Sequence, residues 1–179
     1  VISVGTVIKK FRPISQEKLA RKFNVSRELI AAIETGRRRV PQDVSPRIAR
    51  FIDHSAVYTA FQREASGVGP VYLNNIDDHP LTCVMKMLEE FREVVEKTGE
   101  VVPILIKGPK RATDEDRQKL KEWGLECCEA ETANENAMGR VFKEYNMSLA
   151  EVWDQHQQEL IEHQYFIPEK EKTAFKAAK

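Results

Sequence analysis

A mainly α-helical fold is predicted by three observations. Apolar residues recur at three- and four-residue spacing in most of the chain, beginning with Val4, Val7, Ile8 and Phe11. Good N-cap residues, Ser15, Ser26, Thr113 and Ser148, stand just ahead of such stretches. Helix-stopping residues, among them Pro13, Asn24 and Gly36, fall between them. With 179 residues and 41% hydrophobic content, the chain has material for one or two compact domains with a true core.

The first five elements read as helices. Pro13 ends the opening one, because proline disfavours helix at the residue before it. Ser15 caps the second, with Leu19, Ala20 and Phe23 inward. Asn24 tolerates a left-handed backbone and closes it. Ser26 caps the third, with Ile30 and Ile33 inward, and Gly36 stops it. Pro41 to Ile52 supplies a fourth with Ile48, Ala49 and Ile52 buried, and Ser55 to Ala65 a fifth.

Residues 66–80 hold two glycines, two prolines and Asn74-Asn75, the composition of a linker. Val71 to Leu73 can form a brief strand within it. Beyond lies a mostly helical C-terminal domain with short strands. Leu81 to Lys97 is amphipathic, with Leu81, Val84, Met85, Leu88, Phe91 and Val95 on one side and Gly99 as its stop. Val101 to Ile106 is a β-branched run between glycines and reads as strand. Thr113 opens a helix with Asp114, Glu115 and Asp116 in its first turn, where acids suit the dipole. Gly124 ends it, and Leu125 to Ala130 reads as a second strand. Met138, Val141, Phe142 and Tyr145 mark a helix over Asn136 to Asn146. Ser148 and Glu151 form a capping-box pattern for a last one, with Leu149, Val152, Trp153, Leu160 and Ile161 as its stripe. The expected division is therefore 1–65, a linker 66–80, a second domain 81–168 and a flexible tail 169–179.

Charge is divided unevenly. Val1 to Asp53 carries twelve Lys and Arg against five Asp and Glu, a net of +7, and the remainder carries a net of −7. One end suits a polyanion and the other does not. No apolar run reaches 18 residues, so no membrane span is expected. The opening VISVGTVIKKF lacks the basic-then-apolar order of a signal peptide. Three cysteines, two of them adjacent, make a poor disulfide framework, and a cytoplasmic location is expected.

Ser15-Gln16, Leu19-Ala20, Val25-Ser26, Ile33-Glu34, Gly36 and Pro41 together form the pattern S-Q-x-x-L-A, V-S, I-E-x-G, P. This segment resembles the Cro and phage-repressor type of helix-turn-helix, the xenobiotic-response-element family of bacterial regulators. The resemblance covers about Val4 to Asp53. It implies a lambda-repressor-like domain of four or five helices that binds double-stranded DNA. Asn24 replaces the usual glycine, with the same backbone shape available to it. The family places Gln16 against a backbone phosphate. It turns Glu34 inward toward a base on the first helix, for which Lys9 is the candidate. It touches DNA backbone where Arg37, Arg38 and Arg39 fall.

Groove geometry assigns the reading positions. A recognition helix offers its N-terminal side chains to base edges. These are Ser26, Arg27 and Glu28, with Ala31 and Ala32 a turn later. Arg27 suits guanine, Glu28 a cytosine amino group, and Ala31 a thymine methyl. Arg37, Arg38, Arg39 and Lys18 are candidate phosphate contacts, with Arg47 and Arg50 weaker ones.

The expected function is a transcriptional regulator, a repressor acting as a homodimer on a palindromic operator, of the kind common in phages and mobile elements. The apolar helices at 81–97 and 148–166 are the expected interface. The main alternative is an antitoxin-type protein whose acidic half holds a partner protein. A targeted enzyme and an architectural DNA protein are further alternatives, and the C-terminal domain can take a protein partner or a small-molecule effector. No catalytic residue, cofactor or metal site is assigned. The chain has no G-x-S-x-G, P-loop or CxxC pattern. Cys127-Cys128 suits a short strand better than a redox or metal site. His156 and His163 stand about 10 Å apart along one helix, too far to share an ion.

Overall fold

The computed structural model describes residues 3–168, and the tail expected at 169–179 lies outside them. Among the described residues there are eight α-helices and no strand. The chain divides into two compact units between Met147 and Ser148.

The first five helices enclose one core. α1 (Val4–Phe11) packs on α3 (Arg27–Glu34) and α5 (Ser55–Ser66), α2 (Gln16–Phe23) on α3, and α4 (Ser45–Ile52) on α5. Ile8, Leu19, Ile30, Ile48 and Val57 are fully enclosed, as the helical spacing requires. α4 begins at Ser45 rather than Pro41, because residues 42–44 form turns first. Gly5 explains how closely α1 and α3 approach. A Cβ there would stand 1.9 Å from the Ile33 carbonyl oxygen, so only glycine fits.

The second half of this unit departs from expectation. α6 (Pro80–Lys107) and α7 (Asp114–Glu144) form a long hairpin around a 3-10 turn at Pro109–Arg111. The strands expected at Val101–Ile106 and Leu125–Ala130 are helix, and Gly99 and Gly124 stop nothing. Continuous packing overrides local propensity here. Cys83, Met87, Glu90, Val94, Lys97, Val101 and Ile104 of α6 alternate at four and three residues, the seam spacing of paired helices. Val101 and Ile104 are buried on that seam. They flank Pro103, which lacks the N–H for the Gly99 carbonyl yet does not end the helix. Trp123 Nε1 of α7 donates to Thr98 Oγ1 of α6 at 3.0 Å. Thr113 caps α7 in a reciprocal box with Asp116.

Residues 67–79 contain no regular element, and Val71–Leu73 is not a strand. Nor does the segment swing free. Asn136 of α7 accepts from Leu73 N at 2.8 Å and donates to the Val71 carbonyl at 2.7 Å. Arg140 of α7 donates to the Leu73 carbonyl at 2.8 Å and pairs with Asp78 at 2.6 Å. Between these anchors Tyr72 lies edge-on to Phe11 of α1, with centroids 5.4 Å apart. The five-helix head and the hairpin are thus bonded to one another.

His54 sits at this junction. It is 7% exposed, stacks on Phe11 at 3.8 Å, and caps α5 by accepting from Ala56 N at Nδ1. Burial first, then Lys143, Arg140 and Lys10, against a smaller opposing effect of Asp53, hold its pKa down at about 4. The unfolded chain takes up a proton near pH 6.5, while the folded one does not until about pH 4. Stability is therefore fully present above pH 6.5 and is lost progressively as pH falls toward 4. The loss amounts to about 3 kcal/mol. Denaturant unfolding across pH 4–7 checks this against His54→Asn, which keeps a capping oxygen and should show a flatter profile.

The second unit contains α8 (Leu149–Glu162). Ser148 Oγ accepts from Glu151 N at 3.1 Å, as the capping pattern predicts. Of the expected stripe, Leu149 is buried, Leu160 and Ile161 are half-buried, and Val152 and Trp153 are exposed.

Candidate nucleic-acid interface

The interface is built on the turn between α2 and α3. Asn24 adopts φ 55°, ψ 48°, and the Val25 amide reaches back to the Ala20 carbonyl at 3.0 Å. This αL closure is the one a glycine would supply. Ser26 then caps α3, its Oγ accepting from Leu29 N at 3.1 Å. The capping bond takes one lone pair of the hydroxyl oxygen, so Ser26 keeps its O–H proton and one lone pair to offer a base.

Arg27 and Glu28 project from the first turn of α3 and are exposed, and Ala31 beside them is half-buried. The far end of α3 closes at Gly36, with φ 73° and Arg37 N bonded to the Ala32 carbonyl at 2.8 Å. Arg37, Arg38 and Arg39 follow on an exposed loop. Arg37 Nε donates to Thr35 Oγ1 at 3.0 Å, which holds that guanidinium beside the helix end. Val40 is buried and anchors the loop behind them. Lys18 is exposed on the first turn of α2.

The seat of α3 differs from expectation in its partner. Glu34 is buried and faces inward, but it pairs with Arg12, Nε to Oε1 at 2.7 Å, and not with Lys9. Lys9 is exposed, whereas Arg12 follows the last turn of α1 and points across to α3. Arg12 Nη1 also donates to the Ile14 carbonyl at 2.6 Å. The second Glu34 oxygen accepts from Gln16 Nε2 at 2.6 Å. One carboxylate thus ties α1, α2 and α3 together. Sequence reasoning missed Arg12 because it lies just past the helix, beside Pro13. Gln16 keeps one amide proton, its carbonyl oxygen and the backbone N–H of the first position of α2 for other contacts.

Such a domain, with two short helices held across an αL turn and an exposed basic loop, is a helix-turn-helix DNA-binding domain. Residues 13–57 match the Helix-turn-helix family model of Cro/C1 type, and this segment belongs to that family. The family is a DNA-binding one that serves transcription regulation, not an enzyme family. The chain matches no curated protein and no solved structure. No helix among the described residues is long and apolar enough to cross a membrane.

Proposed function

We propose that this protein is a sequence-specific repressor that binds a palindromic operator as a homodimer in the cytoplasm. The observation that carries the reading is the exposed first turn of α3, seated by the buried Glu34 network and followed by the arginine loop. Arg27 and Glu28 are the base readers, with Ser26 and Ala31 beside them. Arg37, Arg38, Arg39, Lys18 and the start of α2 at Gln16 grip phosphates.

Dimerisation is supported by the outward face of α6. Leu81, Met85, Leu88, Val95, Val102 and Ile106 are all exposed. They follow a heptad alternation of four and three residues, with Arg92 and Gly99 filling the two remaining positions. This seam is opposite the one that packs on α7. A continuous heptad face is suited to the same helix of a second copy.

Replacing Arg37, Arg38 and Arg39 together by alanine should weaken binding to every duplex by about 10-fold or more. It should also reduce the slope of log affinity against log salt by about 2–3. Titrations of operator and unrelated DNA at several salt concentrations check both effects. Arg27→Ala should instead narrow the gap between operator and mismatched sites by about 1–3 kcal/mol. An equal loss on all sequences would remove Arg27 from the readers. Selection of bound duplexes from a random library yields the operator, and a motif without dyad symmetry would exclude the symmetric dimer.

A further inference from the structure

The hairpin brings together four glutamates that DNA binding does not use. Glu90 and Glu93 are one turn apart on α6, and Glu126 and Glu129 are one turn apart on α7. Residues three apart share a helix face. Here the two faces meet, and one carboxylate oxygen from each residue lies within 4.8 Å of the other three.

Glu90 is the informative member. It is 7% exposed. One of its oxygens pairs with Lys86 at 2.8 Å, while the other, Oε2, is enclosed and has no hydrogen-bond partner. A buried carboxylate oxygen left without a partner is costly, and the other three residues each bring a carboxylate oxygen close to this side chain. Lys86 is drawn to Glu90 and Glu89 and stabilises one edge of the cluster only.

We propose that Glu90, Glu93, Glu126 and Glu129 bind a hard divalent cation, Mg²⁺ or Mn²⁺, across the α6–α7 hairpin. The donor set is all oxygen and anionic, the set such ions select. Cys127 and Cys128 lie between Glu126 and Glu129 in sequence but turn to other sides of α7, so no thiolate enters the set. The ion supplies the missing partner for Glu90 and offsets the mutual repulsion of the four acids. An octahedral ion held by one oxygen from each keeps about two positions for water. Because it binds both helices, its occupancy stabilises the folded hairpin.

The test uses the full chain and Mn²⁺ alone at constant ionic strength. Calorimetry and water-proton relaxation should report one saturable ion per chain, and the melting temperature should rise with Mn²⁺. The double variant Glu90→Gln and Glu126→Gln should bind at least tenfold more weakly, while Glu151→Gln on α8 should bind like the parent. Absence of saturable binding in the parent, or unchanged binding in the double variant, overturns the proposal. If the double variant does not fold, paramagnetic broadening in the parent decides. Broadening confined to residues near 90–93 and 126–129 supports the site, and broadening elsewhere overturns it.

Discussion

Replacing Glu34 by alanine should lower stability by about 3–5 kcal/mol, the cost of breaking a buried ion pair from one side. The side chain is 2% exposed, and both its oxygens are used, by Arg12 and by Gln16. Removing it leaves the Arg12 guanidinium facing a cavity and takes a partner from Gln16. By contrast, the pair Arg21–Glu17 has both side chains largely exposed, and its loss should cost under about 1 kcal/mol. Lys9→Ala should be near neutral, which separates the observed network from one built on Lys9. Urea unfolding of the three variants measures these differences. The loss is a large share of a domain's stability, so it should also appear in function. With α3 no longer fixed to α1 and α2, operator affinity should fall although no residue facing DNA has changed. A Glu34→Ala protein as stable as its parent would show that apolar packing alone seats the recognition helix.

The head of the molecule was legible in the sequence because each of its signals is local. Ser15, Asn24, Ser26 and Gly36 act within one turn of themselves, and the structure has caps or closures at all four. The hairpin was less legible because its determinants act at a distance. Gly99, Pro103 and Gly124 are local breakers, and Val101 to Ile106 has strand composition, yet a partner helix holds all of them helical. The apolar stripe read over Leu81 to Val95 exists, but it faces outward, and the packed seam includes Glu90 and Lys97. The four glutamates went unread for the same reason. Their paired three-residue spacing is visible, but reading 125–130 as strand put Glu126 and Glu129 on no common helix face. Residues 66–80 look like a linker because their composition is that of one. What anchors them lies on α7, more than sixty positions along the chain.

Arg140→Ala should cost about 3 kcal/mol, and it tests whether that anchoring matters to function. Arg140 is 6% exposed and holds the Leu73 carbonyl, Asp78 and Asn136 at once, with its guanidinium 5.0 Å from the Tyr72 ring centroid. Asp78 is mostly exposed, so the greater part of the cost comes from the Leu73 and Asn136 groups left without their donor. Arg140→Lys should recover only part, because an ammonium cannot span the same partners as the planar fork. Thermal or urea unfolding measures both. The functional effect follows from what Tyr72 touches. It packs on Phe11 and accepts from Lys10 Nζ at its hydroxyl, so Arg140 fixes the end of α1 relative to α7. In the proposed dimer, the hairpin sets the distance between two heads. A bonded junction then demands one half-site spacing. The parent protein should lose most of its affinity when one or two base pairs are inserted between half-sites. Arg140→Ala should bind the native operator more weakly yet tolerate the insertions better. If both proteins show the same spacing preference, the junction does not orient the heads and the separation is set elsewhere in the dimer.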